Sequence, residues 1–173
     1  QLVRVDAFSG ATPLGQWKFE GIRTNGLDLL LGLNAGSAGE TSALIILLCG
    51  LYLAFRRMLD WKIPVSVMLG AVLTALPFWL YDSARYPDPL FMLLSGGLML
   101  GAVFMATDPV TSPVTAAGKW GYGVLIGLTT ALIRNFSGYV EGVTFAILLG
   151  NIFAPLFDEA VIRFKMRGYA RER

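Results

Sequence analysis

The sequence contains no histidine and a single cysteine, Cys49, among 173 residues. Zinc centres, His-ligated haem and iron–sulfur clusters draw on those residue types, so this chain alone builds none of them. Cys49 lies in the apolar run LIILLCGLYL and reads as a packed core thiol rather than a ligand shared with a partner. Charge is scarce too: 15% of the residues are Asp, Glu, Lys or Arg, against about a quarter in soluble domains. A net charge of +2 with scattered basic residues offers no face for nucleic acid, so none is expected as a partner. The first ten residues, QLVRVDAFSG, carry neither an initiator Met nor the regions of a signal peptide. The expectation is part of a longer polypeptide, or one product of a split or cleaved one.

What is abundant is apolar. Hydrophobic residues make up 55% of the chain and fall in long blocks, and blocks of about 20 residues cross a bilayer as helices. The 20 glycines suit such helices, since small residues let them approach closely. The reading is an all-α membrane protein with about five transmembrane helices. Residues 1–36 form a mixed, Gly-rich segment, residues 37–160 a five-helix membrane domain, and residues 161–173 a basic tail. Within the first segment, Leu27 to Leu33 is too short to cross and suits the interface.

The spacing predicts a first span from Ser37, capped by the Ser37/Glu40 pair, to Arg56-Arg57. A second runs from Ile63 to Tyr81, with Pro64 tolerated in its first turn and Pro77 loosening its last. A third runs from Pro89 to Thr107, capped by Asp88, with Ser95, Gly96, Gly97 and Gly101 as a small-residue packing face. A fourth, short for a span, covers Trp120 to Ile133. A fifth covers Val140 to Phe157, interrupted by Asn151 and Pro155.

Arg56, Arg57 and Lys62, then Lys119, then Arg163 to Arg173 load alternate loops and the C-terminus. The positive-inside rule puts those segments in the cytoplasm and residues 1–36 outside. Arg4, Lys18 and Arg23 run against that bias, and Arg85 and Arg134 sit in the other loops. Trp61, Trp79, Tyr81 and Trp120 stand near span ends, where aromatic belts form.

Two groups of polar residues carry candidate chemistry. The first is Asp6-Ala-Phe-Ser9-Gly10-Ala11-Thr12-Pro13-Leu14. Ser, Gly and Pro are ordinary turn residues, so a loop explains it. It also resembles the flavinylation motif Asp-x-x-Ser/Thr-Gly-Ala-Thr, at which FMN is joined through its phosphate to a threonine hydroxyl. That resemblance makes Thr12 the acceptor, with Ser9, Gly10 and Ala11 admitting a bulky donor and Asp6 holding a metal-bound one. Phe8 and Trp17 are candidate stacking partners for the ring.

The second group is acidic: Glu40, Asp108, Glu141 and Asp158 lie near span ends. Carboxylates at membrane depth are functional candidates, although capping explains each singly. Asp108 opens a break with two prolines and the hydroxyls of Thr111, Ser112 and Thr115, which either supply oxygen ligands to a cation or cap the next helix. Arg134 is set to pair with Glu141 or to approach a flavin phosphate.

Longer blocks widen the resemblance. Leu94 to Pro113 (LSGGLMLGAVFMATDPVTSP), Gly39 to Leu44, Trp61 to Pro64, Gly138 to Val143 and Asn151 to Asp158 resemble, in order, the RnfD/NqrB family. This family comprises the D subunit of the Rnf electron-transport complex and the homologous B subunit of the Na⁺-translocating NADH:quinone reductase. The Ser-Gly-Gly-Leu-Met-Leu-Gly and Asp-Pro-Val-Thr-Ser-Pro blocks lean towards RnfD. Family members are about twice as long, with about ten spans, and the chain resembles their C-terminal half. A site for a second flavin or riboflavin would then be completed by the other half.

The resemblance implies a fold of inverted five-span repeats, similar to urea-type channels. It implies a flavoprotein subunit of an ion-translocating ferredoxin:NAD⁺ oxidoreductase in a bacterial or archaeal inner membrane. Covalent FMN on Thr12, attached by a flavin transferase, would relay electrons among the other Rnf subunits, coupled to Na⁺ or H⁺. Asp108, Glu141 and Asp158 would serve the cation pathway, and lipid would surround the helices. A non-redox channel or a structural scaffold is the reading without the flavin.

Overall fold

The computed structural model describes residues 12–21, 24–32, 42–83 and 85–171. These form helices α1 (Pro13–Glu20), α2 (Gly26–Leu31), α3 (Ala43–Phe55), α4 (Lys62–Tyr81), α5 (Pro89–Leu94), α6 (Leu98–Leu100), α7 (Ala116–Phe136) and α8 (Val143–Arg171). A single π-helical turn, Gly101–Met105, continues α6. No strand occurs among the described residues.

Small residues hold the centre. In α7, Gly123 and Gly127 stand four apart and face Ser66, Gly70 and Ala71 of α4. A Cβ on Gly70 would lie 2.6 Å from the carbonyl oxygen of Val124, and one on Gly127 would strike the backbone of Val67 and Ala71. This is the small-xxx-small contact through which membrane helices pack. On the other side of α7, Ala146, Gly150 and Ala154 of α8 are buried, with Gly150 against Tyr122 and Ile126. Val67, Leu98, Ala102, Tyr122 and Ile126 are completely enclosed.

The large apolar residues point the other way. Ile45, Leu48, Leu51 and Phe55 of α3, Leu73 and Leu80 of α4, and Phe145, Leu148 and Ile152 of α8 are exposed. A soluble protein rarely leaves so continuous an apolar surface open to water. Helix α4 and the stretch Val143–Arg167 of α8 are long and apolar enough to cross a membrane. Small residues inside and large apolar residues outside is the arrangement of a membrane protein.

Several predicted elements differ in detail. Residues 37–41 lie outside the description, and α3 begins at Ala43, where the Ser42 hydroxyl accepts from the Ile45 N–H. Cys49 is exposed, because α3 buries only Ala43, Ile46 and Gly50. The predicted third span is broken: α5 stops at Leu94 and Gly96 turns left-handed at φ 65°. Asp88 stands at the cap position of α5 without a side-chain capping bond. Of the expected small-residue face only Gly101 packs as such, against Val143 and Ile147.

The helix at the predicted fourth span, α7, is longer than predicted, 21 residues, because Thr115 caps it and both its charged residues find partners. Arg134 therefore lies within its last turn rather than beyond it. Asn151 and Pro155 do not interrupt α8. The Asn151 side-chain carbonyl accepts from the Tyr122 hydroxyl at 2.7 Å, which satisfies both inside the bundle.

Candidate functional site

Helix α7, about 31 Å long at 1.5 Å per residue, separates two clusters of polar side chains. At its C-terminal end lie α1, the break after α5 and the start of α8. At its N-terminal end lie the 107–115 loop, the start of α4 and the later turns of α8.

The first cluster is built on the break. An interrupted helix exposes carbonyls at one stump and N–H groups at the other, and both need partners inside a membrane. Arg134, 2% exposed, donates from Nη1 to the Met92 carbonyl at 2.6 Å. Glu141 accepts from the Gly97 N–H through both carboxylate oxygens, at 3.3 and 3.2 Å. Arg134 Nη2 lies 3.7 Å from Glu141 Oε2. A cation thus faces the C-terminal stump and an anion the N-terminal stump, the signs that helix dipoles favour. A Cβ at Gly96 would collide with the Glu141 carboxylate and lie 3.1 Å from Arg134 Nη2. The Ser95 hydroxyl beside it is buried without a hydrogen-bond partner among the described residues.

Thr12 belongs to this end. It is the N-cap of α1 (φ −61°, ψ 151°), and Pro13 follows at the first helical position. The Thr12 hydroxyl, half-buried, accepts from the Gly15 N–H at 3.3 Å. Helix α1 is fastened down by Leu14, packed with Leu29 and Phe91. Lys18 fastens it further: its ammonium donates to the carbonyls of Arg134 (2.9 Å), Ser137 (2.6 Å) and Tyr139 (2.7 Å), closing the end of α7. Burial and the Arg134 charge hold Lys18 below the usual lysine pKa. Between α1, α2 and α5 lies a cavity of about 600 Å³, lined chiefly by Trp17, Leu27, Leu30, Leu90, Phe91 and Leu94. The Trp17 and Phe91 rings are 6.3 Å apart and tilted. Asp6, Phe8, Ser9, Gly10 and Ala11 lie outside the described residues.

The second cluster is hydroxyl-rich. Asp158 accepts from the Val114 N–H (2.8 Å), the Thr115 N–H (2.9 Å) and the Thr115 hydroxyl (2.5 Å), so it closes the N-terminus of α7 from α8. The Thr115 hydroxyl in turn accepts from the Gly118 N–H. Asp108 accepts from the Val110 N–H at 3.4 Å and the Thr111 hydroxyl at 3.0 Å, both in its own turn. Lys119 pairs with Asp60 at 2.6 Å. Burial raises the Asp60 carboxyl, but the hydrogen bond and charge of Lys119, with the backbone N–H and charge of Lys62, outweigh it and leave it below the usual range.

The three predicted carboxylates therefore do not form one site. Asp108 and Asp158 flank the loop at one end of α7, and Glu141 stands at the other. No group of three or more candidate metal ligands occurs among the described residues. The Arg134–Glu141 pairing expected from the sequence is present. The role of this pair at a helix break was missed, and the Gly96-Gly97 doublet followed by a distant Arg and Glu was the only signal.

A family model described as NQR2, RnfD, RnfE matches residues 1–167. The chain is 42% identical over 179 residues to the B subunit of the Na(+)-translocating NADH-quinone reductase of Klebsiella pneumoniae (strain 342), covering 94% of this chain and 43% of that protein. It is 43% identical over 161 residues to the D subunit of the ion-translocating oxidoreductase complex of Alcanivorax borkumensis, covering 89% of this chain and 47% of that protein. The chain thus spans less than half the length of these curated relatives. Identities so close do not choose between the two kinds of protein, and the lean of two sequence blocks towards RnfD gains nothing from them.

Proposed function

The chain belongs to the NQR2, RnfD, RnfE family, and on that premise we propose that it is the flavin-bearing membrane part of an ion-translocating oxidoreductase. FMN is esterified through its phosphate to Thr12 and relays electrons to or from the other subunits, with Na⁺ or H⁺ moved in step. The observation that carries this reading is the setting of Thr12 at the N-cap of α1. Its hydrogen bond to Gly15 uses an oxygen lone pair, not the hydroxyl proton that esterification replaces. The helix N-terminus behind it is the favourable place for a phosphate's negative charge.

The surroundings suit the group. The neighbouring cavity is within the size range of cofactor sites and is mainly apolar, with Trp17 and Phe91 on its wall. Of the two aromatic residues proposed as ring partners, Trp17 lines it and Phe8 lies outside the described residues. Lys18 and Leu14 keep α1 fixed to the bundle, so a group tethered at Thr12 is held near the broken helix. When bound, FMN supplies one- and two-electron transfer. The protein's part is to tether it, wall it from water and fix its distance from partner centres.

In this reading five crossings are made by α3, α4, the broken α5–α6 segment, α7 and α8, of which α4 and the stretch Val143–Arg167 of α8 are long and apolar enough to cross. The end bearing Arg57, Lys62, Lys119 and Arg163 faces the cytoplasm of a bacterial or archaeal inner membrane, and Thr12 faces outside. A covalent link is apt there, since a dissociable flavin would be lost. A flavin transferase attaches it. Asp108 is the leading cation-handling carboxylate, because the bonds it accepts from Val110 and Thr111 come from its own turn. Asp158 and Glu141 are more heavily engaged.

The test is the intact mass of the chain from its native membrane, with peptide mapping around Thr12. An FMN adduct on the Thr12 peptide, abolished by Thr12→Ala with the helices still inserted, is expected. Covalent flavin retained in Thr12→Ala, or an unmodified peptide from a host that flavinylates other proteins, would leave the channel or scaffold reading. The quinone-reductase alternative is separated from the Rnf one by assaying the native complex with quinone and with ferredoxin.

A further inference from the structure

Two hollows meet between the end of α3 and the start of α4. One, of about 390 Å³, is of mixed character, with Arg57, Asp60, Ser112 and Lys119 as its polar wall and Trp61 among its apolar lining. The other, of about 160 Å³, is apolar and follows Leu47, Gly50 and Leu51 of α3 against Val65 and Met68 of α4. Ala54, Leu59 and Trp61 line both, so the two are successive stretches of one track. Val103 closes the apolar stretch from below. A Cβ at Gly50 would lie 2.6 Å from its side chain, so the groove is floored by a tight contact.

The polar end is built unusually. Helix α3 finishes with the Met58 N–H bonded to the Leu53 carbonyl and the Arg57 N–H to the Ala54 carbonyl, both at 3.0 Å. That hydrogen-bond pattern places a left-handed residue at the position where glycine is normally found. Here it is Arg57, at φ 57°, the one non-glycine with positive φ among the described residues. The backbone would be better served by glycine, so a use for the guanidinium explains the arginine. Lys119 and Asp60 neutralise each other at 2.6 Å. Arg57 remains as excess positive charge on the hollow, with Arg56 and Lys62 in the same connection.

We propose that this track binds one phospholipid with an anionic headgroup. The phosphate sits against Arg57 and the Ser112 hydroxyl, and one acyl chain lies along the groove between α3 and α4. Trp61, 54% exposed and edge-on to Trp120 at 6.4 Å, marks the level of the glycerol, where amphipathic rings settle. Basic pockets between helices hold anionic headgroups in this manner. The inference rests on the membrane character of the chain and not on the flavin at Thr12.

The test uses the chain extracted from its own membrane in mild detergent, delipidated, and titrated by native mass spectrometry. The probes are phosphatidylglycerol, phosphatidylcholine with the same acyl chains, and inorganic phosphate. One tightly held phosphatidylglycerol is expected, about fivefold tighter than phosphatidylcholine, the equivalent of ~1 kcal/mol per basic residue at a membrane surface. Arg57→Gly should bring phosphatidylglycerol down to the phosphatidylcholine level while keeping or raising the melting temperature. Ala54→Trp, which fills the strip common to both hollows, should weaken both lipids. Equal affinities, undiminished binding in Arg57→Gly, or a lower melting temperature in that variant would overturn the proposal. Inorganic phosphate competing as well as the lipid would overturn it too, by reducing the track to an anion pocket. Retained binding in Ala54→Trp would place the lipid elsewhere.

Discussion

The two ends of α7 solve one problem in two environments. Each carries a basic residue, Lys119 at the start and Arg134 at the finish, and each has a carboxylate from a neighbouring segment closing a helix stump. At the start, Lys119 and Asp60 keep side-chain exposures of 20% and 30%. At the finish, the Arg134 side chain is 1% exposed and a backbone carbonyl is among its partners. Water reaches both members of the first pair; at the finish it reaches the Glu141 carboxylate, whose side chain is 38% exposed, but not the Arg134 guanidinium. The ion pair is therefore optional for both partners in the first place, and in the second it is obligatory for Arg134 alone, whose buried guanidinium has no water to turn to.

The comparison breaks most visibly at Arg134. Arg134→Met strands the Met92 carbonyl and leaves the Glu141 carboxylate without its cation. A loss of about 1–3 kcal/mol is expected, the range for leaving a buried acceptor unsatisfied, since water can replace the guanidinium at the partly exposed Glu141. Unfolding in detergent, followed by circular dichroism, measures it. A loss below that of the exposed pair would show that the break is held by packing alone.

That contrast also explains what could be read from the sequence. The second span was legible almost to the residue, Ile63 to Tyr81 against Lys62–Tyr81, because charged and turn residues bound an uninterrupted apolar run. The break at Gly96 was not legible, since Ser-Gly-Gly suits close packing equally well. Its cause lies about 40 residues away in Arg134 and Glu141. Helix α7 was read too short for a related reason. Local hydropathy counts Lys119 and Arg134 as boundaries, whereas tertiary partners draw both into the helix. The cap of α1 at Thr12, followed by proline at the first helical position, was not legible, because the same letters suit a turn or a modification motif. The Asp158 cap was anticipated only as a class of role, because its partner, Thr115, comes from another helix.

Asp158 tests the middle ground. It closes the N-terminus of α7 from α8 with a half-buried carboxylate. Asp158→Asn keeps one acceptor oxygen but removes the charge that the helix N-terminus favours. A loss of about 1 kcal/mol is expected, smaller than that of Arg134→Met in the same assay. A loss as large as that of Arg134→Met would mean that the two ends are equally sealed from water.

The smallest effect belongs to Asp60, and its sign with pH is fixed. The folded chain holds this carboxyl below its ordinary value of 3.8. The Asp60–Lys119 pair therefore contributes stability in full above the unfolded value and loses it as pH falls through the lower, folded one. At neutral pH, Asp60→Asn should cost about 0.2–1 kcal/mol, the range for solvent-exposed pairs, and the difference from the parent chain should shrink as the pH is lowered below 3.8. Unfolding curves of both proteins from neutral to acid pH, at low and at high salt, supply the check. Added salt should narrow the gap, because ions reach a pair that is partly exposed. A gap unmoved by acid and salt would show that the contribution of Asp60 does not come from its ion pair with Lys119.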